Sequence, residues 1–444
     1  MKRIGAVLLV VAGLAGWLGW QAWRLPDDVV ARMDGVDIPV RSLDALLAVV
    51  KVGDATATRR SLLDGAVESH ALARWHEARR DNEHTHSLVG YSDEALYENQ
   101  LFATLRHAFA TQLNNYVSSH GIEGPMSLLE QPVELDKKAL EPYLALNSAL
   151  LHAMTEEQER AAAEYVLGYY RFPFSERQPL TLWDLYSRMN IQLKVQMHEY
   201  NLPFIREAIG QHLATRFVIG WFRDSGEFSQ QEVIALEKLV SDRMEKEELL
   251  HDLGLLHDIH DDNPALREAM ARITDAEVRQ YYDSHRDEFR WVEKVRARHI
   301  RLDSQERADE VVARIRAGEL SFEQAIATYS TAPDRNAEVP GDLGEIVRGE
   351  AADDWLRGLA FVQPEGVVSP PFRSPQSNSP VYWEVVFLDE KVMGDMPLDD
   401  PGVRYEASKK LAREKMQKEF ERLRAELIEA VDLRVNEKLL GDVL

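Results

Sequence analysis

The stretch Val295-Arg-Ala-Arg-His-Ile-Arg-Leu302 opens the block that decides the fold of this chain, which ends near Lys391. Apolar residues alternate with charged ones here, a pattern that predicts a strand with one buried face. The block continues with a helix from about Gln305 and a second helix from Ser321. A Gly-rich turn at Pro340, a short helix around Trp355 and an apolar strand from Pro380 follow. This order predicts a small domain in which helices cover a sheet.

Length and charge limit which class of protein this chain can be. The chain has 444 residues, 45% of them hydrophobic, which is enough for two or three cores. It carries 52 basic and 75 acidic side chains and a net charge of −23, which disfavours nucleic acid as a partner. The sequence contains no cysteine, which excludes disulfides, thiolate catalysis and Cys-ligated zinc.

The N-terminus predicts a membrane anchor over residues 1–25. Lys2 and Arg3 precede a run from Ile4 to Trp20 without polar side chains, and the apolar character continues to Trp23. Such a run just spans a bilayer as a helix, and the basic residues favour a cytoplasmic N-terminus with the rest of the chain outside. A cleaved signal peptide, cut after Gly13-Leu-Ala15, is the alternative. The anchor is favoured because the apolar run continues past that point.

Residues 26–290 are predicted to be mainly helical. They open with Asp34-Gly35, a hairpin turn between short strands at 29–33 and 36–40. Capping boxes pair Thr155 with Gln158, Ser229 with Glu232 and Thr274 with Glu277. The predicted helices are Thr58 to Arg80, Asp93 to His120, Thr155 to Tyr170, Leu182 to Glu199, Pro203 to Phe222 and Ser229 to Leu256.

Aromatic residues are dense between Tyr165 and Phe222. Their helical spacing favours a role as core packing. The alternative is a partly exposed groove for extended polypeptide, to which Met189, Met197 and Met244 would add adaptable surface.

Histidines raise the question of a metal site. His251, His257 and His260 lie among acidic residues, and His84 and His86 form a second group. His257 and His260 share a helical face at i,i+3 spacing, but His251 does not join them, and no HExxH pattern occurs. Solvated histidines are therefore favoured, and no metal or cofactor is expected.

The block from Val295 to Lys391 resembles the parvulin family of peptidyl-prolyl isomerases in the order of its elements, in Ala297-Arg-His-Ile300 and in the turn Gly341-Asp-Leu-Gly344. The strand-turn-strand-helix opening after Pro26 resembles SurA-like and PrsA-like envelope chaperones. The resemblance implies an α+β fold. Its parts are an anchor (1–25), a helical chaperone module (26–290), a parvulin-like domain with an antiparallel sheet (294–392) and a C-terminal helix and strand (400–444).

The same resemblance places the C-terminal segment. A charged helix from Arg404 to Ala430 carries an apolar stripe that needs a partner, and the stretch 431–435 alternates as a strand. In the related chaperones this segment returns to the N-terminal module. We therefore expect the helix to dock there and residues 431–435 to pair with the hairpin.

Carrying the parvulin site over residue by residue gives an uneven match. His299 occupies the first-strand histidine position, and Ala332 stands where the family has an acid or thiol. Asp334 follows two residues later and compensates if the loop shifts. Trp383 is aligned with the second histidine, so the last strand is expected to lack that polar group.

The pocket residues are also changed. Ala351 aligns with the family's pocket Met and Trp355 with its pocket Phe. Leu343, Phe361 and Trp383 complete the expected substrate-binding set. Rotation about an X-Pro bond needs an apolar cup and a few polar groups, and neither a nucleophile nor a cofactor.

Two classes of function follow from these residues. The first is a membrane-anchored periplasmic folding factor of the bacterial inner membrane, which binds unfolded or proline-containing polypeptides and isomerises their prolyl bonds. The second is a non-catalytic binding or assembly factor for a membrane or envelope complex, in which the parvulin domain is degenerate and the enlarged helical module holds the partner.

Overall fold

A computed structural model describes residues 25–79, 90–146, 152–256, 263–351, 354–375 and 380–441, without the side chains of residues 350 and 351. The predicted anchor, His84, His86, His257, His260 and the Ala351 side chain thus lie outside the described residues. In the described ranges, no helix combines the length and apolar character needed to span a membrane. The described residues form two compact units: those up to 256 together with 417–441, and those from 263 to 416.

The first unit contains a three-stranded antiparallel sheet that joins the two ends of the chain. Strands β1 (Val29–Met33) and β2 (Val36–Pro39) form the predicted hairpin. The C-terminal strand β10 (Leu433–Val435) pairs with β1, with Ala31 opposite Val435. The predicted pairing of the C-terminal segment with the hairpin is therefore confirmed.

Helices make up most of the first unit. The capping boxes at Thr155 and Ser229 are confirmed. The helices are α1 (Val40–Gly53), α2 (Arg59–Glu77), α3 (Asp93–Ala108), α4 (Ala110–Ser119), α5 (Lys137–Leu144), α6 (Glu156–Glu164), α7 (Leu182–Tyr186), α8 (Ile191–His198), α9 (Leu202–Asp224) and α10 (Gln230–Asp252).

The predicted helix from Thr155 to Tyr170 is wrong in its second half. It ends at Glu164, and β4 (Val166–Tyr170) pairs with β3 (Leu129–Glu130) on one side and with β5 (Gln178–Thr181) on the other. A Cβ at Gly168 would lie 2.9 Å from Cδ1 of Leu129, so glycine permits the close approach of β3. The β-branched and aromatic residues of this stretch favour a strand once neighbours pair with it.

Two other predicted helices are interrupted. The stretch from Leu182 to Glu199 forms α7 and α8, because Asn190 caps a new helix through its side chain. The stretch from Asp93 to His120 breaks at Phe109, which has a non-helical backbone.

The aromatic residues of the first unit fill its core. Trp221 is fully buried, and Tyr170, Phe172, Tyr186 and Phe217 are at most 5% exposed. They belong to one continuous apolar cluster with residues of the hairpin and of α10. This placement favours core packing over an exposed aromatic groove.

The second unit is built on an antiparallel sheet with strand order β7-β6-β9-β8. The long strands β6 (Arg290–Leu302) and β9 (Trp383–Asp395) pair along their whole length, with Arg301 opposite Glu384. The edge strands are β7 (Asp342–Val347) and β8 (Phe372–Arg373). The predicted domain 294–392 lies within this unit.

Within the described residues, six helices lie wholly or partly in the second unit: two precede β6, three lie between its strands in sequence, and one follows β9. The box at Thr274 caps α12 as predicted. The helices are α11 (Pro264–Ala271), α12 (Asp275–Ser284), α13 (Gln305–Arg316), α14 (Phe322–Tyr329), α15 (Trp355–Val362) and α16 (Pro401–Glu429), whose residues from 417 onward belong to the first unit. Predominantly helical units with small antiparallel sheets confirm the mixed α+β class.

Each face of the second unit's sheet has its own apolar cluster. Ile300, Leu302 and Val385 pack with α13 and α14. Val295, Ala297, Val386 and Leu388 face the other way and pack with α15. Successive side chains of a strand point to opposite faces, so where no inserted residue interrupts the strand, in residues 294–302 of β6 and 383–388 of β9, the parity of a residue number decides which cluster it joins.

Candidate functional site

His299 lies on the α15 side of the sheet, because it shares the odd parity of Val295 and Ala297 in β6. Its backbone N–H donates to the carbonyl of Gly341 at 2.8 Å, which ties β6 to the Gly-rich turn. The residue is 3% exposed. A polar ring buried this deeply must have hydrogen-bond partners within the protein.

Both ring nitrogens of His299 face carboxylates. Nδ1 lies 2.8 Å from Oε2 of Glu384, and Nε2 lies 2.9 Å from Oδ2 of Asp334. The Nε of Arg301 donates to the second oxygen of Glu384 at 2.7 Å. We call His299, Asp334, Glu384 and Arg301 the His299 cluster.

This geometry requires an imidazolium. A neutral imidazole has a single N–H, whereas ionised carboxylates only accept hydrogen bonds, so only the protonated ring satisfies both contacts. Burial lowers the pKa of His299, but the hydrogen bonds and charges of Glu384 and Asp334 outweigh it and raise the pKa above its ordinary value. With His299 protonated, the cluster is a network of alternating charges.

The loop after α14 brings Asp334 to the ring. Ser330 is fully buried, and its hydroxyl accepts hydrogen bonds from the backbone N–H groups of Arg301 and Ala332, both at 3.3 Å. A short 3₁₀ turn, Pro333–Asn336, then turns Asp334 toward His299. The carboxylate is thus present although Ala332 stands at the aligned position.

Asp334 is incompletely satisfied. Its Oδ1 atom is buried, and no hydrogen-bond donor reaches it from the described part of the chain. A buried acceptor without a donor costs about 1–3 kcal/mol. Asp334 therefore keeps an unused acceptor within the charged cluster.

Gly341 fixes the turn beside the cluster. Its φ is +69°, and a Cβ there would lie 2.5 Å from the carbonyl oxygen of His299. Both the left-handed backbone and the close approach require glycine. The Gly-Asp-Leu-Gly motif therefore supports the position of His299.

The expected substrate-binding residues do not form one group. Leu343, Trp355 and Phe361 all pack on the α15 side of the sheet, which is the face that bears His299. Trp383 packs on the opposite face with the α13 and α14 cluster. The structure thus brings three of the four residues to the face of His299 and leaves Trp383 apart.

Trp355 and Phe361 lie toward different ends of α15. The ring of Trp355 is 6.4 Å from that of Tyr382, and the guanidinium of Arg301 lies 3.9 Å from the Tyr382 ring centre. Phe361 instead lies 5.3 Å from the guanidinium of Arg348, which also covers Trp291 near the start of β6. Trp355 is therefore the aromatic residue linked to the His299 cluster.

The expectation that the last strand lacks a polar partner for His299 is wrong. Glu384, one residue after Trp383, has the parity that faces His299, and it is fully buried. A glutamate within the apolar run Trp383-Glu-Val-Val-Phe387 was the available signal. Aligning by residue type placed the position at Trp383, whereas strand alternation places it at Glu384.

Within the described residues, no three metal-binding side chains come close enough to hold an ion.

Comparison with known families identifies the class of this domain. Residues 273–400 match the model of the PPIC-type PPIASE domain, which is the parvulin type of peptidyl-prolyl isomerase. This match agrees with the parvulin resemblance that the sequence motifs of this domain predict.

The similar proteins are foldases and chaperones. Foldase protein PrsA of Bacillus subtilis is 31% identical over 103 residues, which is 23% of this chain and 32% of that protein. PrsA of Halalkalibacterium halodurans is 29% identical over 182 residues, which is 37% of this chain and 53% of that protein. The chain thus spans about a third to a half of the length of these curated relatives. A PrsA structure from Bacillus anthracis aligns at 21% identity over 42% of this chain and 79% of that one, with a TM-score of 0.21.

Proposed function

We propose that this chain is a protein-folding factor whose parvulin-type domain isomerises X-Pro bonds at the His299 cluster. The observation that carries the proposal is the pairing of His299 with both Asp334 and Glu384. The two polar positions that the sequence lost at Ala332 and Trp383 are supplied by neighbouring residues. Both ring nitrogens of His299 therefore have carboxylate partners, although neither aligned position carries one.

The proposed chemistry is electrostatic. Rotation about a prolyl bond crosses a barrier of about 18–20 kcal/mol because amide resonance is lost. Trp355 and Leu343 would provide apolar contact for the proline ring, which would exclude water from the rotating bond. The fixed charges of His299 and Asp334 would favour the twisted amide, because such groups need no reorganisation during the reaction.

The remaining assignments follow from position. Phe361 would contact parts of the polypeptide farther from the cluster, since it lies toward the start of β6. Trp383 would support the sheet from its opposite face. We further propose that residues 26–290 with 400–444 form a chaperone module for unfolded polypeptides, and that residues 1–25 anchor the chain in a bacterial inner membrane with its bulk in the periplasm.

One observation favours a non-catalytic alternative. His299 is 3% exposed, and both of its ring nitrogens are already engaged by the protein. In this alternative, the ring has a purely structural role: it holds the loop of Asp334 against the strand of Glu384. The domain would then bind polypeptide, or a membrane or envelope complex, without accelerating isomerisation.

Exchange spectroscopy on a proline-containing peptide separates the two functions. The full chain should accelerate cis/trans exchange, and His299→Ala should reduce the rate at least tenfold. Glu390→Gln, an exposed change on the same strand as Glu384, should leave the rate unaltered. If the wild-type chain gives no acceleration but still suppresses aggregation of an unfolded client, the catalytic proposal fails and the binding alternative stands.

A further inference from the structure

A second buried histidine between two carboxylates lies in the first unit, away from the parvulin domain. His70, on α2, is 3% exposed. Its Nδ1 lies 2.9 Å from Oδ2 of Asp242 on α10, and its Nε2 lies 3.1 Å from Oδ2 of Asp34 in the hairpin turn. One imidazole therefore connects three elements that are distant in sequence.

The carboxylates of this site have other cations. Arg74, one turn after His70 on α2, pairs with Asp34, and Lys238 on α10 donates to Asp242 at 3.0 Å. The charged groups that face His70 are thus Asp34 from the hairpin, Asp242 and Lys238 from α10, and Arg74 from its own helix. We call these five residues the His70 clamp.

The hairpin side of the clamp reaches the C-terminal strand. Asp34 donates its backbone N–H to the carbonyl of Asp432 at 3.0 Å, and its Oδ1 accepts from the N–H of Asp432 at 2.9 Å. Asp432 immediately precedes β10, which completes the sheet. The carboxylate that binds His70 is therefore also the group that holds the start of the C-terminal strand.

Only a protonated His70 can close this clamp. With one N–H, a neutral ring would leave a lone pair facing the lone pairs of an ionised carboxylate at about 3 Å. Arg74 donates to Asp34 and Lys238 donates to Asp242, so each carboxylate also has a cation beside it.

We propose that the His70 clamp is a proton-dependent latch, which holds α2, α10 and the hairpin with its C-terminal strand together when His70 is charged and loosens when His70 loses its proton. The regulated element is the attachment of β10 to the hairpin and of the hairpin to the helices. This proposal does not depend on isomerase activity.

The sign of the pH dependence follows from the environment of His70. The Asp242 hydrogen bond raises its pKa most; burial and Lys238 oppose that effect, and the net pKa lies above the ordinary value. The stabilisation that charged His70 gives to the fold is complete below the ordinary histidine pKa near 6.5. It is lost as the pH rises through the higher pKa of His70 in the folded protein. The latch therefore loosens on the alkaline side of 6.5.

Two measurements on the full chain test the latch. Selective ¹⁵N-histidine NMR should show His70 doubly protonated at pH 6.5 and titrating at higher pH. His198 is the internal control: its Nε2 accepts from the Tyr186 hydroxyl and its Nδ1 donates to Leu144, so it should remain neutral. A His70 that is neutral at pH 6.5 would overturn the proposal.

Hydrogen exchange measures the consequence. After correction for intrinsic rates, amides of 59–77, 29–39 and 433–435 should lose protection with rising pH, up to about tenfold for each unit by which the folded pKa exceeds the unfolded one. His70→Gln, which cannot be charged, should remove this dependence, and Asp242→Asn should weaken it. Equal pH dependence in wild type and both variants would refute the latch.

Discussion

The His70 clamp and the His299 cluster use the same chemistry in two different units. Each has a buried imidazole with one carboxylate about 2.9 Å from one ring nitrogen and a second carboxylate at the other nitrogen. The two sites differ in whether the carboxylate oxygen that does not contact the histidine has a hydrogen-bond donor. In the clamp, Asp34 and Asp242 are each held by another side chain or backbone group, whereas in the cluster Oδ1 of Asp334 is buried without a donor in the described residues.

This difference separates structural from functional use of one arrangement. A fully satisfied polar network rigidifies the fold, whereas a partly satisfied one retains the cost of an unpaired group. The clamp joins α2, α10 and the hairpin, and each of its carboxylates has a further donor of its own. The cluster lies on the same sheet face as Leu343 and Trp355, where a polypeptide would bring N–H donors. The comparison predicts that the cluster is optimised for a ligand and the clamp for the fold.

Removing the buried carboxylate of the cluster should have the largest effect on the fold. Glu384 is fully buried between His299 and Arg301, so Glu384→Ala leaves two cations without their shared anion. Breaking a buried ion pair in this way costs about 3–5 kcal/mol. Hydrogen exchange of the β6 and β9 amides should report this loss as a reduced opening free energy.

Glu390→Ala is the matched control, because Glu390 is exposed on the same strand and should change stability by less than about 0.5 kcal/mol. If both glutamate variants gave equal protection in β6 and β9, the charge network would have no role in the stability of the sheet.

The next largest effect is expected at the turn beside His299. Gly341→Ala combines a φ of +69° with a Cβ only 2.5 Å from the His299 carbonyl oxygen, and should cost about 2–4 kcal/mol. Gly344→Ala shares the positive φ, at +71°, but meets no atom within 4 Å, and should cost about 1 kcal/mol. Thermal unfolding of the two variants measures the difference. Equal costs would show that backbone conformation alone, and not the contact with His299, requires glycine at 341.

Sequence patterns predicted the elements of the parvulin domain better than its site. The turn at Gly341 and the helices after Ser304 and Ser321 follow from local rules of capping and backbone conformation. The partners of His299 depend on a loop path and on strand parity. Ser330 accepts a hydrogen bond from Arg301 and so ties the loop that carries Asp334 to β6, a contact that no local pattern encodes.

The first unit shows the same limit. The strand at Val166–Tyr170 depends on pairing with residues 129–130 and 178–181, so its sequence alone predicts a helix that the structure does not contain. Likewise, His70 carries no motif. Its role arises because the hairpin turn and α10 both place an aspartate against α2.

Asp334→Asn should give the smallest change in stability and the most informative one. The Asp334 side chain is about a third exposed, so solvent screening should limit the loss of stability to about 1 kcal/mol or less.

In Asp334→Asn, the pKa of His299 should fall toward its ordinary value, because one of the two charges that raise it is gone. The stabilisation from His299 is complete below about 6.5 and disappears as pH rises through the folded-state pKa, so in Asp334→Asn it should disappear at lower pH than in wild type. Histidine NMR across pH 6 to 9 checks this shift, with His70 as the control that should not move. An unchanged His299 titration would mean that Glu384 alone raises the pKa of the ring. Asp334 would then be available to bind the polypeptide.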